Sequence, residues 1–424
     1  MPRGSRDLLR MIGQSAIALS LMGLRCEFLA AQEAKPTTES GQVLDLEACL
    51  SMAMDQQASI RAARATLHAN MAKSDALERS GRLGAILSID LKVRRQQVLH
   101  GIQAARLAVE KAENETRQAV TFTYLMAVYA KQQRRELSAI LTNLKQLREG
   151  ASRLVERFPG QLELVDIANN ASASKVPEAE NGYEQALAAL REAIGTSDRV
   201  TPVNDAIPEG KCSISSQDEA IAKAVANRPE IGQAELAAVI FALEIEAQCR
   251  MRFTMAGRTL ASGSDLHSIL VPLGQFDEKY QPGAIAPEMP SVIPGNRRDR
   301  VNQAEILASR ATIVREKVQA LVELEAGNAW LRYKQNADKL PVLEKAIKVA
   351  HKRSEDLKED LGGDNKVSPR DVLESGLIET TLKQQSIEAK LGAIQALATL
   401  ERATGGAFKL DLEWKPVAPG SKSN

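Results

Sequence analysis

The second half of this chain repeats the first, and that duplication limits the fold more than any other feature. Leu46-Glu47-Ala48-Cys49-Leu50 and Ile60-Arg61-Ala62-Ala63 answer to Asp218-Glu219-Ala220-Ile221 and Ile231-Gly232-Gln233-Ala234. Further on, Tyr124-Leu125 answers to Trp330-Leu331, and Leu164-Val165 to Asp371-Val372. The copies close alike, at Ile194-Gly195 and Thr404-Gly405. A repeated unit of this kind is one supersecondary element reused because a single copy cannot bury its apolar face alone. Function is therefore expected in the way helices assemble.

Aromatic residues make up only 3% of the chain, and Ala, Leu, Glu, Lys, Arg and Gln dominate it. Such a composition belongs to long helices or coiled coils. Lys and Arg number 55 against 54 for Asp and Glu, so no net field draws the chain to nucleic acid or acidic lipid. At the start, Arg3, Arg6 and Arg10 precede an apolar stretch from Met11 to Leu24, and Ala30-Ala31 offers small residues for cleavage. This pattern reads as a secretory signal over residues 1–31, too short for a comfortable membrane span. Arg25 stands where a lipoprotein reading of Cys26 needs a small residue. No later apolar run reaches 18 residues, so any integral membrane form is expected to use strands. Cys49, Cys212 and Cys249 are widely spaced and odd in number, and are expected to be free and partly buried.

The organisation then follows from breakers and periodicity. A linker over 32–45 leads into a first helical-hairpin repeat over 46–195, a second linker over 196–216, a second repeat over 217–405 and a tail over 406–424. The first repeat reads as a helix from Leu46 to Arg79, one from near Gln96 to Phe158, and a return from Leu162 to Ile194 broken at Val176-Pro177. Leu137, Ile140, Leu144, Leu147, Ala151, Leu154 and Phe158 paint one side of the second helix at spacings of three and four, a seam that needs another helix. In the second copy, Ala304, Leu307, Ala311, Val314, Val318 and Leu321 form one seam. Leu340, Leu343, Ile347, Ala350, Leu357 and Leu361 form the next, and Val372 to Ala403 returns. Ile231 lies 171 residues after Ile60, whereas Asp371 lies 207 after Leu164, which places an insert at about 251–300, where Gly, Pro and Ser crowd together.

Strand signals are short. Leu87, Ile89, Leu91 and Val93 alternate with Ser88, Asp90, Lys92 and Arg94, and Met251, Phe253 and Met255 alternate with Arg252 and Thr254. Ile269 to Leu273 offers a partner containing Pro272, and Pro282 to Pro294 reads as loop. The expected fold is mainly α: tandem long antiparallel helical hairpins with a short or degenerate β region.

The tandem hairpins, the export signal, the opening Leu44-Asp45-Leu46-Glu47-Ala48 and Asn227-Arg228-Pro229-Glu230-Ile231 resemble the TolC family of outer-membrane efflux proteins. So does a hairpin tip carrying Gly363, Ser368, Asp371, Val372 and Leu373. The resemblance implies a homotrimer whose helices form a hollow tunnel across the periplasm, joined to an outer-membrane barrel to which each protomer gives four strands. It also implies a periplasmic adaptor and an inner-membrane transporter docking at the tips, with substrates leaving chemically unaltered. Phe158, Pro159, Gly160, Gly362, Gly363, Ser368 and Asp371 are the expected docking residues. Arg297, Arg298 and Arg300 are candidates for the membrane boundary, or simply the start of a soluble helix.

Charges at helical spacing, as in Glu316-Lys317 and Lys352 to Glu359, read better as a solvated face than as selectivity groups. Trp330 with Tyr333, and Tyr124 with Tyr129, read as packing residues rather than a ligand box. His68, His100, His267 and His351 lack ligand-type partners at helical spacing and are read as surface residues, so no metal is expected. No phosphate loop or nucleophile elbow occurs, so neither a catalytic residue nor a cofactor is expected. The sequence therefore points to a non-enzymatic exit duct of the outer membrane and periplasm, with a pore-less periplasmic scaffold as the alternative.

Overall fold

The structure is a computed structural model that describes residues 41–79, 89–251, 293–361 and 367–414. In chain order its elements are β1 (Gln42–Leu44), α1 (Leu46–Gln56), α2 (Ala58–Arg79), α3 (Leu91–Arg153), α4 (Gln161–Ala173), α5 (Val176–Ile194), β2 (Val200–Pro202) and β3 (Glu209–Lys211). The second copy supplies α6 (Gln217–Asn227), α7 (Pro229–Arg250), α8 (Arg297–Glu359), α9 (Pro369–Ala403) and β4 (Asp411–Glu413). The signal segment, Cys26, His267, Phe253, Met255, Ile269 to Leu273, Gly362 and Gly363 lie outside the described residues.

The duplication is metrically close. α1 and α6 both have 11 residues, α2 and α7 both have 22, and each pair is offset by 171. The long helices α3 and α8 both have 63 residues and are offset by 206. Each copy runs from a bend at the waist up a short helix, down the long helix to a tip, and back to the waist.

Local chemistry sets these boundaries. Asp45 caps α1 by accepting from the Ala48 amide at 2.8 Å, and Ser216 caps α6 by accepting from Glu219 at 3.1 Å. Asn296 with Asp299 and Ser368 with Asp371 form reciprocal capping boxes at the starts of α8 and α9. Each cap satisfies amide groups that the first turn leaves without partners and contributes about 1 kcal/mol. Gly195 and Gly405 end the returning helices at positive φ, 82° and 60°. Both then pack against the bend of their own copy: an added Cβ would lie 3.1 Å from Gln57 Cα and 2.3 Å from the Asn227 carbonyl oxygen, respectively.

The core follows the waist. Cys49, Val120, Tyr124, Leu125, Leu187, Leu190, Ile194 and Val200 gather α1, α3, α5 and β2. Val314, Val318, Leu321 and Val322 gather α6, α7 and α8. A fully buried leucine such as Leu125 or Leu190 contributes roughly 2 kcal/mol, more than the propensity difference between any two ordinary helix residues. Beside these cores β1 pairs in parallel with β2, and β3 antiparallel with β4.

Two expectations are corrected. The strand read from Leu87 to Arg94 is, in its described part, a turn at Ile89-Asp90 followed by helix from Leu91. Leu91 and Val93 are buried and Lys92 exposed, so alternation over so few residues mimicked a strand. The Asp90 carbonyl, accepting from the Val93 and Arg94 amides, starts a helix instead. The single helix read over 46–79 is two, because Gln57 is extended, with φ −64° and ψ 127°.

Candidate functional site: the open edge and the hairpin tips

The order of packing defines the site. In the half toward the tips, α8 packs on α9, α9 on α3 and α4, and α3 on α4 and α5. In the other half, α2 packs on α3, α3 on α7 and α7 on α8. The helices thus form a wall, with α8 along one edge, where α6 packs on it near the waist, and α2 followed by α4 and α5 along the other.

The edge helix carries an exposed apolar line. Ile306, Ile313, Leu324, Leu331, Val342 and Val349 are 43–71% exposed. Their spacing alternates seven and eleven, so the pattern recurs every 18 residues, five whole turns at 3.6 residues per turn, and the line runs straight along the helix. On α3, the matching positions 206 residues earlier are His100, Leu107, Gln118, Leu125, Glu136 and Asn143, of which only Asn143 is exposed. One long helix is interior to the wall and the other is its rim. The seams read from the sequence face inward: Ala304, Ala311, Val314, Val318 and Leu321 are buried, and Ile140, Leu144 and Leu147 pack with Ala168, Leu373 and Leu377.

At the tips the two copies meet. Gln161 accepts a hydrogen bond from the Arg370 amide at 3.0 Å, and Arg148 pairs with Asp166 at 2.5 Å. Gly160 opens α4 at φ 80°, Pro159 and Gly160 are exposed, and Arg157 stacks over Phe158 at 5.4 Å. Ser368 is buried, its hydroxyl donating to Asp371 at 2.7 Å, so these two residues are engaged in capping their own helix. Above the tip, Glu379 receives Lys383 at 2.8 Å and His351 at 2.9 Å. Burial works to raise the Glu379 carboxyl, but these neighbours hold it below the usual carboxylate range.

At the opposite ends a polar clamp ties the long helices together. Arg94 holds Asp90 at 3.0 Å, Gln97 at 2.9 Å and Glu244 at 3.0 Å, and Gln248 passes from Glu244 at 2.6 Å to Arg300 at 3.0 Å. Arg300 also donates to the carbonyls of Gly295 and Met251. Of the three expected boundary arginines, Arg297 and Arg298 are therefore exposed, whereas the Arg300 guanidinium is consumed inside the chain.

The second waist bend holds another buried charge group. Arg228 pairs with Glu230 at 2.6 Å and Glu325 at 2.9 Å, and Arg402 pairs with Glu325 as well. Burial raises the Glu230 carboxyl, and Arg228 overcomes it to leave the group below its ordinary range. Burial, then the charge of Arg228, brings Arg402 down to about 10. Neither group was read from the sequence, because buried and solvated charges look alike in helices of this composition.

The aromatic residues are packing groups. Tyr124 is fully buried, donates to Asn204 at 2.6 Å and meets Trp414 edge to face at 5.8 Å. Trp330 and Tyr333 pack beside Ile214, Leu397 and Phe408. His68 and His351 are exposed, but His100 is half-buried. Cys49, Cys212 and Cys249 are free, and burial followed by the nearby Asp45 pushes the Cys49 thiol up to about 12. Among the described residues no cluster of metal-ligating type occurs, and no helix is long and apolar enough to cross a membrane.

No family model matches the chain, and no curated protein sequence matches it. Solved structures do. A membrane protein from Pseudomonas aeruginosa is 14% identical, with a TM-score of 0.65 over 89% of this chain and 99% of that one. The outer-membrane channel OprN is 14% identical, with a TM-score of 0.64 over 85% and 90%. The open state of the Neisseria gonorrhoeae MtrE outer membrane channel is 14% identical, with a TM-score of 0.62 over 90% and 98%. At this identity the likeness is one of architecture, and these matches together with the duplicated hairpins give the chain the fold of the TolC-type outer-membrane channels.

Proposed function

We propose that this chain is one protomer of a trimeric exit duct of the outer membrane, conducting solutes passively through a helix-walled lumen. The observation that carries the reading is the straight apolar line from Ile306 to Val349 on the rim helix, which the described residues leave 43–71% exposed, least at Leu324 and Leu331 where α6 packs nearby. A wall of helices whose two edges differ joins head to tail, and such a join closes into a ring when its rotation allows. Covering the line supplies the hydrophobic term for closure. The resemblance to the TolC family implies three copies, and the outer-membrane channels that share the fold support a place in the outer membrane.

On this reading the tips, with Pro159 and Gly160 exposed beside the half-buried Phe158, and with Gly362, Gly363, Ser368 and Asp371 following α8, receive a periplasmic adaptor and an inner-membrane transporter. Arg297 and Arg298 face the headgroup boundary, and no bond of the cargo is made or broken. The test is extraction and conductance. Membranes should release the protein only with detergent, at a native mass of three chains, and planar bilayers should then show stepwise ion current. Release by osmotic shock alone, with folded protein giving no current, would replace the duct with the periplasmic scaffold.

A further inference from the structure

Resting on the duct reading, we propose the seam by which copies join: α8 of one copy lies along α2 and the α4–α5 arm of the next, Ile313 seated by Ala69 and Lys345 beside Glu178.

The levels of the helices supply the register. Gln395 of α9 reaches Met126 of α3, and Gly392, a turn earlier, faces Asn336 of α8, so positions 206 apart on α3 and α8 stand about level. Across the other edge, Arg64 of α2 pairs with Glu113 of α3 at 3.0 Å, and Arg134 of α3 stacks over Tyr183 of α5 at 4.9 Å. Counting along these antiparallel neighbours sets Ala69 within a residue or so of the level of Ile313, Ala76 beside Ile306, and Glu178 beside Lys345.

The facing chemistries then agree. The outward side of α2 presents Ala62, Ala65, Ala69, Ala72 and Ala76, all exposed at spacings of three and four, room into which large rim residues can insert. Ile306 and Ile313 are the large residues that the rim helix exposes at that height. Lower down the rim exposes Lys345, Lys348 and Lys352 beside Val342 and Val349, with Asp338 above this stretch and Asp356 below it. The opposite edge offers Glu178, and below it Ile167, which is 49% exposed. A two-fold pairing of α8 on α8 about an axis along the helices would set the three lysines against their own copies. Like charges there disfavour that join, while Lys345 opposite Glu178 favours the head-to-tail one.

Paired cysteines test the seam in the full-length protein, with Cys26, Cys49, Cys212 and Cys249 replaced. Ile313→Cys with Ala69→Cys, and separately Lys345→Cys with Glu178→Cys, should give covalent dimers and trimers in mild oxidant, while each single variant should not. Lys345→Glu should lower the Ile313→Cys/Ala69→Cys yield about two- to fivefold, the range of one exposed ion pair. Adding Glu178→Lys should restore it. A trimer of native mass that forms neither cross-link and ignores the charge reversal overturns the seam and leaves the duct standing. Cross-linking by Ile313→Cys alone overturns the seam in favour of α8 on α8. A folded monomer in every detergent overturns both.

Discussion

Gln57 and Arg228 occupy the same bend, 171 residues apart, yet the two copies hold that bend by different means. In the first, the neutral Gln57 amide donates to the Glu192 and Ala193 carbonyls at 3.1 and 3.0 Å and caps the end of α5. In the second, Arg228, Glu230, Glu325 and Arg402 are buried together and join α6, α7, α8 and α9. A neutral joint loses a member at the cost of its own hydrogen bonds. In a charged one, each member removed strands an opposite charge away from water.

The largest test of this contrast is Glu325→Gln, which leaves Arg228 and Arg402 without their shared carboxylate. A loss of about 3–5 kcal/mol is expected in urea unfolding followed by circular dichroism. Next comes the pair of glycines that lean on the bends. Gly405→Ala meets the Asn227 carbonyl oxygen at 2.3 Å, whereas Gly195→Ala meets Gln57 Cα at 3.1 Å. Both strain a positive φ, and the first adds a clash with backbone, so about 2–4 kcal/mol is expected against about 1–2. Gln57→Ala should cost about 1–2 kcal/mol, and a loss as large as that of Glu325→Gln would erase the distinction between the joints.

The last effect is alkaline. The folded Cys49 thiol holds its proton to about 12, against 9.0 as its ordinary value, so its contribution is complete below pH 9 and is lost as pH rises toward 12. Arg402 runs the other way: its folded value is about 10 against 12.5, so the unfolded chain binds more protons between them and stability rises there. Comparing the native chain with Cys49→Ala from pH 8 to 11 should show the native chain declining faster. A Cys49 that iodoacetamide alkylates readily at pH 8 in the folded protein would contradict its burial.

Much of the architecture was legible because helix periodicity and duplication reinforce each other. The long seams, the break near Val176-Pro177 and the closing glycines all follow from spacing. The second bend also left a trace in Arg228-Pro229, since a residue before proline is pushed out of helical conformation. Gln57 has no proline after it, and only its registration with Arg228 through the repeat could have revealed the first bend. The buried clamps at Arg94 and Arg228 left no signal, because nothing in a run of Glu, Arg and Gln says which neighbour from another helix will exclude water. Nor did the strand reading survive at Leu91, where an alternation of eight residues was too short to outweigh the turn at Asp90.

The sequence by itself determined that this chain is made of paired helices in duplicate, since an apolar residue every three or four positions allows little else. Only the tertiary structure decided which copy lies inside the wall and which forms its rim. α3 and α8 have the same length and matching frames, but among the described residues α3 is flanked along its length by helices on both sides, whereas α8 has α7 and α9 on one side and α6 only at the waist. Periodicity along a chain specifies that a face must be covered, and the partner that covers it is a matter of three-dimensional neighbours.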